Sequence, residues 1–234
     1  MKCGIVGRLY LDHVLYVNSF ILGETNNASK IIKKYGGMYN TSSDTINNVD
    51  FVYLPESTKE AIIISDHHTS NRTSIIIESS NTKMQSVTEL NDAEVDWLHV
   101  AYIDDIRNPE RLLEYVGSRI SIDFCTIANR ESYSSIINKA SLVFDSRERK
   151  SLYDNISTKT PIILHDPFGC ECIIKNTIVH CFDNEPSKDI NPNGAGDIFA
   201  GVFIREYILG GLEFAMHNVC VMTKNILLES YEKI

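Results

Sequence analysis

The sequence predicts an α/β protein with a mostly parallel central sheet. Three observations carry that expectation. From Asp96 onward, the short apolar runs "WLHVAYI", "SRISIDF", "ASLVFDS", "TPIILHD" and "ECIIKNTIVHCF" alternate with spans long enough for helices, and continuous apolar runs mark strands buried on both faces. Ahead of them, "EAIIIS", a turn-rich "DHHTSN" and "RTSIIIES" read as a hairpin over 60–79. The chain closes on two helical stretches, one over about Gly194 to Leu209 and one over Leu212 to Leu228, separated by Gly210 and Gly211.

The elements before the hairpin follow from local pattern. A first buried strand runs from Gly4 to Leu9 and continues to Val17. The segment after "GETNN" predicts a short helix with Ala28, Ile31 and Ile32 on one side, ending at the pair Gly36 and Gly37. A polar span, "NTSSDTINN", precedes "DFVYLP" and the hairpin. The hairpin's arms carry the triplets Ile62 to Ile64 and Ile75 to Ile77 instead of strict alternation. Cover on both sides is therefore expected, one face over a ligand and the other against a second copy of the chain. In the closing helix, Ile198, Phe199, Val202, Phe203 and Leu209 face inward. No internal repeat, low-complexity tract or interdomain linker stands out, so one domain is expected over 1–234.

Composition narrows the function. The chain has 234 residues, 43% of them hydrophobic, enough for a sizeable core. No apolar run has the length of a membrane span, and Arg8, Asp12 and His13 break the start, which reads as a strand and not a signal peptide. Six cysteines, Cys3, Cys125, Cys170, Cys172, Cys181 and Cys220, lie scattered, mostly in apolar runs, which suits free thiols and a cytoplasmic location. The net charge is −9 with no basic block beyond Lys33 and Lys34, so nucleic acid is not an expected partner and neither is a membrane.

The stretch "NPNGAGDIFAG", from Asn191 to Gly201, carries the chemistry. A helix starting at its second glycine leaves backbone amides unpaired at the positive end of the helix dipole, which makes an anion site. Gly194, Ala195 and Gly196 leave room for a phosphate, and Asp197 in the first turn is placed to take a proton from a hydroxyl. A glycine-rich helix start with an acid in its first turn is also favoured by capping and dipole alone. The four residues by themselves leave both readings open.

The surrounding chain resembles the PfkB family of carbohydrate kinases, also called ribokinase-like. Gly194, Ala195, Gly196, Asp197, Phe199 and Gly201 match its C-terminal signature in place and spacing. Asp12 in "GRLYLDHVLYV" resembles the family's substrate-binding aspartate, and Gly37 and Asn40 in "YGGMYN" its sugar-contacting glycine and asparagine. The hairpin from Ala61 to Glu78 resembles its lid, Glu148 in "ASLVFDSRER" its magnesium-organising glutamate, and Gly169 in "IILHDPFGCECI" the glycine beside its nucleotide. The resemblance spans nearly the whole chain. It implies a three-layer α/β/α sandwich with a small β lid over roughly 10–20 and 50–80, and ATP-dependent phosphoryl transfer to a hydroxyl of a small sugar, sugar acid or other polyol. Asp197 would be the base, the amides of Asn193 to Gly196 the anion hole, Asp12 and Asn40 the sugar grip, and Glu148 a magnesium ligand through water. A nucleoside acceptor is the alternative on the same fold, and a catalytically inactive kinase-like binding or scaffold protein is the rival. The apolar lid triplets point to a homodimer through the lid.

Five positions differ from the family pattern, one of them Tyr35, which aligns with the first glycine of the sugar motif. Asn191 replaces its aspartate, which argues against a monovalent-cation requirement, and Pro192 replaces threonine. Asp145 stands at the asparagine of the magnesium motif, and Asp166 stands where a glycine is usual. A carboxylate beside a triphosphate is unfavourable unless it faces solvent or a cation. Only twenty residues separate Asn40 from Ala61, so a trimmed fold is expected. Among other candidates, His67 and His68 read as solvated turn residues, Cys170 and Cys172 as packing on one strand face, and Trp97 and Tyr102 as core or sugar-stacking groups, with core the default. Asp123 at a strand end reads as either a cap or a ligand contact, and Asn218 and Asn225 as either helix-surface polarity or, by the resemblance, groups approaching the adenine.

Overall fold

The structure, a computed structural model, describes residues 1–37, 39–42, 50–66, 68, 72–77, 82–83, 94–116, 119–183 and 194–232. Its strands are β1 (Lys2–Val17), β2 (Ala28–Gly37), β3 (Asp50–Asp66), β4 (Arg72–Ile76), β5 (Thr82–Lys83), β6 (Trp97–Val100), β7 (Ile106–Arg107), β8 (Arg119–Asp123), β9 (Leu142–Ser146), β10 (Ile162–Asp166), β11 (Gly169–Ile174) and β12 (Thr177–Asp183). Its α-helices are α1 (Ser134–Lys139) and α2 (Ala195–Glu232). The main sheet runs β12-β11-β10-β9-β8-β6-β1-β3-β4, with β2 also paired to β1, while β5 and β7 form a separate pair. From β10 through β9, β8, β6 and β1 to β3 every pairing is parallel, as the buried runs predict.

Strict alternation along those strands divides the core in two. Leu98, Val100, Ile120, Ile122, Val143, Ile162 and Leu164 point to one face, where they meet α1 and 3₁₀ turns through Ile136, Ile137, Leu112 and Tyr153. Trp97, Leu142, Phe144 and Ile163 point to the other, under Phe199, Val202, Phe203 and Met216 of α2. Helical layers therefore cover both faces of the sheet. Helix α2 bends where the glycine pair predicts a break, with Gly211 at φ 80° and ψ −170°.

Three local expectations are corrected. The predicted helix around Ala28, Ile31 and Ile32 is strand β2, because β1 offers it an antiparallel backbone partner from Leu9↔Gly37 to Val17↔Ala28. That tertiary pairing overrides the weak local signal. "ECIIKNTIVHCF" is a hairpin and not one strand, turned at Lys175 and Asn176 with φ 50° and 59°. Two consecutive left-handed residues are what a tight two-residue hairpin needs. The connections between parallel strands are mostly 3₁₀ turns, at Ile103–Asp105, Pro109–Glu114, Arg130–Tyr133 and Arg147–Tyr153, with α1 only six residues long. Asn108 and Pro109 start one of them, and the turns are three to seven residues long although the spans between the strands are long enough for helices.

Strand β1 has two halves with different partners. Cys3 to Val6 pairs with β6 in the main sheet, and Leu9 to Val17 pairs on the same edge with β2. Strand β3 follows β1 along its other edge throughout, and β4 turns back along β3 with Ile62↔Ile75. The second halves thus form a four-stranded extension, β2-β1-β3-β4, of one piece with the sheet. Of the segments the resemblance assigns to a lid, 10–17, 58–66 and 72–76 lie in it, joined by β2, whereas 50–55 pair with the first half of β1 in the main sheet and 67, 69–71 and 78–80 lie outside the described residues. Val14, Tyr16, Ala61 and Ile63 are buried on one face of the extension. On the other, Ile62 and Ile64 are half-buried and Ile75 is exposed, so the expected cover on both sides is not supplied by the single chain.

Candidate active site

The start of α2 meets the ends of β6, β8 and β10. Gly194 is buried with φ +81°, a backbone region that favours glycine, and Ile198 N–H donates to its carbonyl at 3.0 Å, closing the first helical turn. A side chain at Gly194 would stand 2.7 Å from Asn40 Cγ. One at Gly196 would stand 3.1 Å from His165 Cε1, at the end of β10. These two glycines let the helix start approach both the Asn40–Ser42 turn and the sheet.

Asp197 lies in the first turn and is buried. Tyr102, just past β6, donates its hydroxyl to Oδ1, and Asn40 Nδ2 lies 3.5 Å from Oδ2. Asp123, buried at the end of β8, shares this environment. Burial pushes its carboxyl well above the ordinary carboxylate range, and the charges of Asp197, Asp145 and Asp104 add to that, with Arg149 opposing. The Tyr102 phenol is likewise held well above its ordinary value, by burial first and then by Asp197.

The first-strand aspartate connects through β2. Gly36 opposes Tyr10, and a side chain there would stand 2.8 Å from Asp12 Cγ, so Gly36 is the glycine packed on that buried carboxylate. Gly37, the glycine singled out in the sequence, instead takes the left-handed turn out of β2 at φ 63°. Tyr10 in turn meets Tyr102 edge to face, with ring centroids 6.2 Å apart.

On the opposite side stands a charged network. Asp145 accepts from Arg130 Nε at 3.0 Å, from Arg149 Nε at 2.5 Å and from the Tyr153 hydroxyl at 2.7 Å. Arg130 is fully buried, its guanidinium 4.0 Å from the Phe124 ring centroid and 3.7 Å from Asp104. The extra charge at Asp145 is therefore paired twice over. Asp166 faces a cation as well, Arg147 at 3.4 Å, and caps the turn by accepting from Phe168 N–H at 2.8 Å. Arg147 keeps two buried nitrogens, Nε and Nη2, without a hydrogen-bond partner among the described residues. Glu148 is exposed in the first turn of its 3₁₀ segment. Gly169 opens β11 at φ 144° and pairs with Asp166.

The sequence-predicted residues thus fall into groups. Asn40, Gly194, Gly196 and Asp197 come together with Ala195 between them, Asp12 reaches them through Gly36, Tyr10 and Tyr102, and Glu148 and Gly169 sit near Arg147 and Asp166. Asn193 lies outside the described residues, as do Asn191 and His67. His68 is exposed on its turn, its N–H donating to Asp66 Oδ1 at 2.8 Å. Cys170 and Cys172 are buried on one face of β11 as expected, and Trp97 is core, donating to Ser121 at 2.8 Å. Asn218 bonds back to the Phe214 carbonyl of its own helix at 3.0 Å. Tyr102 is the correction: it is not a bystander of the core but a hydrogen-bond partner of Asp197.

No family model and no curated protein matches the chain. Solved structures do. A ribokinase from Giardia lamblia is 15% identical with a TM-score of 0.69, over 95% of this chain and 91% of that one. The nucleoside kinase of Methanocaldococcus jannaschii, an archaeal member of the ribokinase family, is 16% identical with a TM-score of 0.65, over 100% of this chain and 98% of that one. Ribokinase from Arabidopsis thaliana, complexed with ribose and ATP, is 12% identical with a TM-score of 0.66, over 95% and 91%. The chain has the ribokinase-like α/β fold. Its fold neighbours are sugar and nucleoside kinases of that family.

Proposed function

We propose that the protein transfers the terminal phosphoryl group of ATP to a hydroxyl of a small sugar or sugar acid. The observation that carries this reading is Asp197, buried in the first turn behind a glycine start and held by Asn40 and Tyr102. Ribose and ATP in the Arabidopsis structure support it by likeness of fold.

The residues present suit the nucleotide. The Nε and Nη2 hydrogens of Arg147 are buried donors that find no acceptor among the described residues, and phosphate oxygens would provide one. The amides of Gly194 to Gly196 would hold the phosphoryl oxygens, and Glu148 with water would organise magnesium. Bound ATP supplies the phosphoryl group. Asp197 takes the proton of the acceptor hydroxyl at Oδ2, the oxygen beside Asn40. Asp12 and Asn40 orient the acceptor, and closure of the four-stranded extension excludes water.

Release of ADP from magnesium-ATP over a panel of sugars, sugar acids and nucleosides tests the proposal. Turnover with a sugar or sugar acid that Asp197→Asn abolishes is the expected result. Turnover with nucleosides alone reassigns the acceptor, and none with any acceptor leaves a kinase-like binding protein.

A homodimer through the extension belongs to the same proposal. Leu11, Leu15, Ile62 and Ile64 are half-buried and Ile31, Tyr35 and Ile75 exposed, all on one face by register. The described cysteines are free thiols, which supports a reducing, cytoplasmic setting.

A further inference from the structure

Tyr102 belongs to none of the motifs, yet several features converge on it. Its backbone is left-handed, φ 60° and ψ 55°, a costly conformation for a bulky residue and one that sites rather than cores retain. The turn swings the ring off the end of β6, where it meets Tyr10 of β1 edge to face and packs with Ala101, Leu9 and Ile5. The hydroxyl reaches Oδ1 of Asp197 from there.

We propose that Tyr102 is a positioning residue for Asp197: its hydroxyl occupies Oδ1 and fixes the plane of the carboxylate, so that Oδ2 is the atom presented to the acceptor hydroxyl. The inference rests on Asp197 acting as the base. In the transfer, the acceptor oxygen forms a bond to phosphorus as the bond to the departing ADP oxygen breaks, and the acceptor proton passes to Oδ2. Tyr102 keeps its own proton throughout, since burial and the charge on Asp197 hold its phenol well above the ordinary range.

A base in this place needs such a donor. Burial disfavours the charged form of a carboxylate and a donated hydrogen bond favours it; Asp197 is buried and accepts from Tyr102. Facing the pair are Asn40 from the Asn40–Ser42 turn, Asp123 and Cys125 from the end of β8, and His165 beyond Gly196. Arg149 stands behind Asp123, Arg147 and Arg149 behind His165, and Asp104 and Asp145 act on Asp123 from the charged network. Tyr102 donates to Oδ1 of Asp197, and the Asn40 contact to Oδ2, at 3.5 Å, is the longer of the two.

The test is Tyr102→Phe, which keeps the ring against Tyr10. Removing a donor to a carboxylate is expected to raise the acid limb of the kcat profile by about one to two pH units, with KM unchanged. A measurement independent of turnover is the pH titration of the Asp197 carboxyl in protein labelled with carbon-13 aspartate, the resonance being identified by its loss in Asp197→Asn. It should move by the same amount. An active wild type whose Asp197 titration is unmoved by Tyr102→Phe overturns the inference alone, as does a raised KM with an unmoved limb. An inactive wild type with a shifted resonance overturns the kinase reading and leaves the hold of Tyr102 on Asp197 standing. Should Tyr102→Phe fail to fold, carbon-13 tyrosine reads the contact from the other side: Tyr102 must ionise at lower pH in Asp197→Asn than in wild type, and an unchanged value overturns the inference.

Discussion

Replacing Gly194 by alanine separates the two reasons for a glycine at that position. The φ of +81° costs an L residue about 1–2 kcal/mol whatever its surroundings. The new methyl also lands on Asn40, 2.7 Å from Cγ and 3.3 Å from Cβ, so the amide must leave its rotamer and its 3.5 Å contact with Asp197. An off-rotamer side chain costs about 0.5–1.5 kcal/mol, and a lost hydrogen bond a similar amount, less here because the contact is long. Gly194→Ala should therefore destabilise by about 2–4 kcal/mol, read from urea unfolding. In an Asn40→Ala background the amide is gone and the backbone cost remains. The double variant should then be more stable than the sum of the singles by about 1–2 kcal/mol. Additivity of the two substitutions would refute contact between the helix start and Asn40.

Two further outcomes follow from burial. His99 is fully buried and neutral, its pKa pushed down to about 3 from 6.5, while the unfolded chain protonates it near 6.5. Its contribution is present above pH 6.5 and is lost as pH falls towards 3, by about 1.4 kcal/mol per unit. Asp123, raised by burial, works in the opposite direction, so the measurement is the difference in unfolding free energy between wild type and His99→Gln across pH 7 to about 5; equal slopes would sink the assignment. Light scattering at micromolar concentration should give a dimer mass that falls to a monomer's in Ile62→Glu, a half-buried position on the apolar face of the extension; a wild-type monomer counts against that interface.

How much of this was legible depended on whether a residue acts through its neighbours in the chain or across the fold. The parallel strands were legible because two-sided burial writes itself into each run, as in Leu142 to Phe144 and Ile162 to Leu164. Strand β2 was not, because Ile31, Ile32 and three lysines show no period of two, and its pairing with β1 is non-local. The cradle residues Gly194 and Asp197 sit three positions apart and were read together. Tyr102 was hidden in an apolar run, and its role depends on a left-handed turn that tyrosine does not signal, unlike glycine or asparagine. Gly37 drew attention in place of Gly36 because spacing does not say which of two adjacent glycines faces Asp12.

The departures from the family pattern bear on whether the site is in use. An aspartate at 145 and another at 166 bring two negative charges to the region that the proposed function gives to the triphosphate. Each has a cation within reach: Arg130 and Arg149 bind Asp145, and Arg147 lies 3.4 Å from Asp166. Arg130 is wholly buried, and a buried guanidinium is costly unless paired, so its place makes sense with Asp145 and not with an asparagine. A decayed site has no reason to keep charges in register across three elements. Arg147, moreover, is only partly spent on Asp166, with two buried nitrogens that find no acceptor among the described residues. A phosphate oxygen would complete that guanidinium and turn an acidic-looking corner into one that tolerates a nucleotide. The local charge balance therefore favours the phosphotransferase reading over an idle scaffold.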